Sequence, residues 1–167
     1  MNFLETMIRI TKFSIFTILI CIFILHISFG FGPESSGEKP EKSSQIVLTI
    51  TGIRGTEGHI GIGAFTSSEG FDDEVTDKFF KFSKSNVIKG NLVVSFEIEP
   101  DLYGFSLLDD ENGNYQMDYN LFGIPKEGFG FSNYYHEGFS KPKFDKFKMN
   151  LKPNSIEEIS IKIRYLY

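Results

Sequence analysis

Asp110, Asn112 and Asn114 stand at alternate positions of one short stretch, and Gln116 and Asp118 continue the series. Side-chain oxygens at positions 1, 3, 5 and 9, with a backbone carbonyl at 7, are the pattern by which a loop wraps a calcium ion. Gly113 eases such a wrap. Calcium takes six to eight oxygens, so these ligands nearly make a site, and Glu127 or Asp109 is the candidate to complete it. Two residues depart from the EF-hand pattern. Position 12 is Leu121, which supplies no bidentate carboxylate, and position 6 is Tyr115, where a sharp turn normally needs Gly. The competing reading is an Asx-rich turn, in which Asp and Asn side chains accept from nearby backbone amides.

The charge around the stretch bears on that choice. Between Lys89 and Lys126 there is no Lys, Arg or His, yet Glu97, Glu99, Asp101, Asp109, Asp110, Glu111 and Asp118 all fall there. A divalent ion would relieve their repulsion. The alternative is a solvated acidic rim facing Lys141, Lys143, Lys146, Lys148 and Lys152, with each exposed pair worth ~0–1 kcal/mol.

Other chemistry is thinly represented. His59 and His136 are the only histidines after residue 30, and a lone His on a strand is more often hydrogen-bonded than catalytic. Ser106, Ser132 and Ser140 each follow a Gly-Phe pair, but none lies in a nucleophile elbow. Paired carboxylates can do glycosidase chemistry, although an Asn-Gly-Asn loop between them suits ligation or a turn better. There is no His/Cys zinc set and no phosphate-cradling Gly motif. Phe129, Phe131, Tyr134, Tyr135 and Phe139 cluster after the acidic stretch. They read either as core plugs beneath a long loop or as an aromatic surface for a protein or glycan partner.

The elements that must position these residues are strands. Ile46, Leu48 and Ile50 alternate with Val47, Thr49 and Thr51, and Leu92, Val94, Phe96 and Ile98 alternate with Val93, Ser95, Glu97 and Glu99. Residues 159–167 carry the clearest alternation, with Ile159, Ile161, Ile163, Tyr165 and Tyr167 on one face. Residues 59–66, 103–108 and 147–151 read as further strands. Gly61 and Gly63 share one strand face, which means close packing against the backbone there. Residues 70–86 suggest a helical turn and then an extended piece, with Asp72-Asp73-Glu74 suited to a helix N-terminus. About seven short strands joined by Gly, Pro and Asn turns predict an all-β fold, an antiparallel β-sandwich with one long Asp/Asn/Gly/Phe-rich loop.

With 167 residues, 41% hydrophobic content and a net charge of −5, the chain suits one domain plus a leader. The acidic balance argues against a nucleic-acid partner. Arg9 and Lys12 precede an apolar run to Phe29, and Ser28 and Gly30 sit at −3 and −1 of a cleavage point. Residues 1–30 therefore read as a signal peptide, the rival being an uncleaved anchor and the only membrane contact the sequence offers. Residues 31–44 read as a disordered linker and 45–167 as the folded domain. The single cysteine, Cys21, lies in the leader.

Residues 103–133 also carry an ordered set of motifs. It comprises Asp110-Glu111-Asn112-Gly113-Asn114, then Asp118, then Gly123-Ile124-Pro125-Lys126-Glu127-Gly128, then Gly130-Phe131-Ser132-Asn133. This set resembles the exported bacterial family catalogued as domain of unknown function 2141. Asp109 and Tyr115 depart from it, standing where the family usually has His and Gly. The resemblance implies export and a transthyretin-like or immunoglobulin-like sandwich, and it implies no activity. The sequence thus points to a secreted, periplasmic or cell-envelope β-sandwich. Its role would be non-enzymatic binding or envelope structure, with Asp110, Asn112, Asn114, Gln116, Asp118 and Glu127 as the candidate Ca2+ set. The competing function is a hydrolase of an envelope polymer working through the acidic loop.

Overall fold

A computed structural model describes residues 42–166. The segment read as a signal peptide and most of that read as a linker lie outside the described residues. The elements are β1 (Ser44–Thr51), β2 (His59–Phe65), a short helix α1 (Ser68–Asp72), β3 (Lys78–Ser83), β4 (Asn91–Ile98), β5 (Leu102–Asp110), β6 (Gly128–Phe131), β7 (Lys148–Asn150) and β8 (Ile156–Lys162). They form two sheets. One has the order β4-β1-β8, and the other β3-β2-β5-β6, with β7 pairing the start of β5. This is the β-sandwich that the alternation predicts. One pair differs from a wholly antiparallel arrangement, because β8 runs parallel to β1, with Leu48 opposite Ile159 and Ile50 opposite Ile161. The chain visits the other sheet between those two strands, so it returns to β1 from the same end.

Period-two burial explains the register. Ile46, Leu48 and Ile50 of β1 and Ile159 and Ile161 of β8 point inward against Ile60, Ile62, Phe105 and Leu107 of the second sheet. Val94 and Phe96 pack on the same core, while Thr49, Ser95 and Lys162 face solvent. A slip of one residue would exchange these sets.

The outer face of the five-stranded sheet is covered too. Phe65, Phe71, Phe131, Phe144 and Phe147 form a second apolar cluster upon it. Gly104 makes room for that cluster, since a Cβ there would lie 2.6 Å from the rings of both Phe144 and Phe147. Gly61 and Gly63 lie beneath Phe79 and Thr76, the close packing their spacing implies.

Two local readings are corrected. The acidic run Asp72-Asp73-Glu74 does not open a helix; α1 ends at Asp72 with Asp73 as its C-cap. Ser67 starts the helix instead, its hydroxyl accepting from the Gly70 amide at 3.0 Å. The exposed C-terminal carbonyls of Phe71 and Asp72 are met by Lys141 Nζ at 2.6 and 3.1 Å, a cation where the helix dipole favours one. The second correction is β6, which lies in what reads as loop. Its Phe129 exchanges backbone hydrogen bonds with Arg164 at 3.0 and 2.8 Å, joining this edge to the chain leaving β8.

Truncating the core should separate its two faces. Ile161→Ala is expected to cost about 2–5 kcal/mol, read from the midpoint of urea unfolding. Lys162→Gln, one residue on, should stay within ~0.5 kcal/mol. Similar costs for both would mean that β8 is not held in this register.

Candidate functional site

Asp109 and Asp110 end β5 and are both fully buried. Alternation sends them to opposite faces of the sheet. Asp110 turns outward and gathers the loop. Its Oδ1 accepts from the amides of Gly113 and Asn114 at 2.7 and 3.1 Å, and its Oδ2 from the Tyr115 amide at 2.8 Å. Tyr115 takes φ 65° and Gly113 φ 79°, the left-handed turns that aim these amides inward. Tyr115 therefore makes the bend for which sequence alone asks a glycine. Its ring meets the His59 ring at a tilt of 45°, centroids 4.6 Å apart, and lies beneath Lys81 at 4.6 Å.

The other candidate ligands continue the pattern. Asn112 Oδ1 accepts from the Asn114 amide and Asn114 Oδ1 from the Gln116 amide, each at 2.9 Å. Asp118 takes the side-chain amides of Asn112 and Asn114 at 2.6 and 3.4 Å. Glu127, buried, holds both ends of the loop, accepting from Glu111 N at 3.1 Å and Asp118 N at 3.2 Å. Burial pushes its carboxyl above the ordinary value, the two amide bonds oppose that rise, and the charges of Asp110 and Asp118 add to it. The structure thus brings Asp110, Asn112, Asn114, Asp118 and Glu127 into one network in which their oxygens accept protein N–H groups; Gln116 joins through its backbone amide. Among the described residues no three His, Cys, Asp or Glu side chains gather as a metal-holding group. His59 Nε2 lies 3.1 Å from Asp110 Oδ2 yet is not aligned for a hydrogen bond.

Beside the loop lies a hollow of about 370 Å³. Leu108, Phe129 and Phe131 form its floor on the outer face of β5 and β6. Met117, Tyr119 and Pro125 wall one side, and the segment carrying His136, Phe139 and Lys141 walls the other. Each wall is braced. Asn120 Oδ1 accepts from Phe122 N and Ile124 N at 2.9 and 3.0 Å, and Arg164 donates to the carbonyls of His136 and Gly138, both at 2.7 Å. Among the lining residues Phe139 is 92% exposed and Tyr119 is exposed as well, so apolar side chains edge the hollow; Leu121 and Phe122, close by in the chain, also face solvent. The aromatic cluster read from sequence therefore divides. Phe131 is buried and Phe129 half-buried, and both floor the hollow; Tyr134 packs on the phenylalanine cluster, and Tyr135 and Phe139 face solvent. Leu108, Met117 and Lys141 carry no sequence signal for this role; the β5–β6 register turns Leu108 outward, and only the fold of the segments that follow β5 and β6 brings Met117 and Lys141 to the same hollow.

Compared with known proteins, the chain matches the family model described as "Uncharacterized protein conserved in bacteria (DUF2141)" over residues 48–158, more than half its length, and it belongs to that family. No curated protein and no solved structure matches it.

Asp110→Ala leaves three loop amides without their acceptor, and the expected cost is roughly 2–4 kcal/mol. Amide exchange at residues 113–115 should quicken beyond the change in global stability; unchanged exchange there would show that another group organises the loop. A second measurement concerns the bidentate Arg54–Glu111 pair at 2.9 and 2.7 Å. The Arg54 hydrogen bond holds the Glu111 carboxyl below its ordinary value, against a smaller upward push from burial. The contribution of the pair is therefore complete above the unfolded glutamate range and is lost as pH falls through the lowered value. Glu111→Gln should cost about 0–1 kcal/mol at neutral pH, because the pair is partly exposed. The gap from wild type should close in acid, and a gap that widens would contradict the ion pair.

Proposed function

We propose that this domain is an exported, non-enzymatic binding module whose ligand seat is the hollow on the outer face of the five-stranded sheet. The observation that supports it most is the apolar floor of Leu108, Phe129 and Phe131, walled by two braced segments and edged by Lys141, Glu74 and Ser140. Concave, mainly apolar sites with a few polar groups at the edge are where proteins hold ligands. The solvent-facing Phe139 and Tyr119 that line it suit a protein partner that inserts an aromatic or aliphatic side chain. Export rests on the order of charged, apolar and small residues over 1–30. The competing hydrolase would need a carboxylate pair open to substrate. Asp110 is enclosed and its oxygens already accept three amides.

Titration with N-acetyl-phenylalanine amide, followed by amide chemical shifts, tests the seat. Saturable shifts at Leu108, Met117 and Phe129 are expected with Kd of about 1 mM, which is ~−4.1 kcal/mol, and Phe129→Ala should remove them. Shifts with cellobiose in place of the phenylalanine probe would reassign the seat to a glycan. No shift with either would end the binding reading.

Calcium at the acidic loop is a second reading. It is favoured by the crowding of Asp110, Asp118 and Glu127: burial first raises the Glu127 carboxyl, and the charges of Asp110 and Asp118 add to that rise. A folded-state site at a hundredfold excess over Kd would add ~2.7 kcal/mol. A melting temperature equal in millimolar calcium and in chelator would leave the loop to hydrogen bonds alone.

A further inference from the structure

At the end of the sandwich, Lys84 and Asp109 meet on the inner face. Lys84 opens the short turn (Lys84–Asn86) after β3, Asp109 belongs to β5, and β2 runs between their strands. Lys84 Nζ is 2.7 Å from Asp109 Oδ1, and neither side chain has any solvent exposure. The other carboxylate oxygen accepts from the Tyr165 hydroxyl, which arrives from the chain leaving β8. Arg54 N–H donates to that hydroxyl at 3.2 Å, turning the phenolic proton towards Asp109, and the Arg54 guanidinium covers the ring at 4.2 Å.

A purely structural ion pair answers this arrangement poorly. An ammonium has three donors, and among the described residues Asp109 Oδ1 is the one acceptor that hydrogen-bonds Lys84 Nζ. Buried pairs of this kind are often no better than apolar residues of the same volume. What the geometry does provide is an amine beside a carboxyl carbon in a dry site, with a donor already on the oxygen where negative charge would develop.

We infer that Lys84 and Asp109 join spontaneously as an intramolecular isopeptide bond. The steps balance within the three side chains. The ammonium passes one proton to Oδ1, leaving a neutral amine and a neutral acid. The Nζ lone pair attacks Cγ, and the charge that forms on Oδ2 is held by the Tyr165 hydroxyl. A second Nζ proton moves to the Oδ1 hydroxyl, which departs as water. The Cγ–Oδ1 bond breaks, the Nζ–Cγ bond remains, and one hydrogen stays on the amide nitrogen. No oxidant, metal or co-reactant enters. Burial, then the bond to Asp109, pushes the Tyr165 hydroxyl well above the ordinary phenol value, so it persists as a donor. Exclusion of water from the site opposes the reverse hydrolysis. The product ties the edge strand β3 to the central strand β5 in a chain whose single cysteine is Cys21.

Peptide mapping of the folded full chain tests the bond without reference to activity or stability. The expected result is a branched peptide joining the segments around Lys84 and Asp109, lighter by one water than the sum of the two, and no tryptic cleavage after Lys84. Lys84→Arg and Asp109→Ala should each yield only linear peptides. Tyr165→Phe keeps the ring and removes the donor on Oδ2, so in chains made and purified unfolded, and allowed to fold for the first time on dilution, the branched peptide should accumulate roughly 10²-fold more slowly than in wild type. Wild-type protein that remains linear after prolonged incubation in the folded state would overturn the inference. Linking at an equal rate in Tyr165→Phe would overturn the part assigned to Tyr165.

Discussion

Two adjacent carboxylates close the central strand, and neither reaches water. Each therefore needs compensation on its own side of the sheet. Asp109 faces the space between the sheets and draws in Lys84 and Tyr165 from two other elements. Asp110 faces outward and draws in three consecutive amides of the chain that follows. The shape of the acidic loop is a consequence of that demand. Once Asp110 has bent residues 113–115 around itself, Asn112 and Asn114 can reach only their own near neighbours and Asp118, and Glu127 closes the circuit on the amides of Glu111 and Asp118.

The second sheet has apolar matter on both faces, which a two-layer sandwich does not require. Its inner face meets β1 and β8, and its outer face meets a phenylalanine cluster built from α1, β2, β6 and the chain before β7. Glycines make this possible at opposite surfaces. Gly104 admits Phe144 and Phe147 from outside, whereas Gly128 and Gly130 on β6 admit Tyr165, Ile163 and Ile161 from inside. Buried Ser132 joins the layers, accepting from Phe105 N at 3.0 Å and donating to the Phe147 carbonyl at 2.7 Å.

The strands were legible where alternation ran for six residues or more, because one buried face imposes period two on β1, β4 and β8. β6 was not legible. Its Gly-Phe-Gly-Phe has no β-branched residue, and its glycines mark the close approach of the β8 tail, a contact more than thirty residues away in sequence. The acidic stretch was legible as a place, and its motif set as a family. Position in the chain alone did not decide between amides and an ion as its partners, because Asp and Asn serve either with the same oxygens. Lys84 was invisible, since lysine reads as surface and only the fold places it at Asp109.

The loop and the hollow are mechanically one unit. Met117, Tyr119 and Pro125 wall the hollow and lie in the segment between Glu111 and Glu127, where the Glu127 carboxylate holds the Glu111 and Asp118 amides. Lys126 N donates to the Asp118 carbonyl at 2.9 Å, and Asn120 N to the Ile124 carbonyl at 2.9 Å, so the wall is a closed finger standing on the Glu127 clasp. Backbone groups satisfied in this way would lose little further freedom if a partner docked at the proposed seat, which would reduce the ordering cost that opposes binding. The acidic residues thus bear on the hollow without lining it, by holding rigid the wall against which a partner would press.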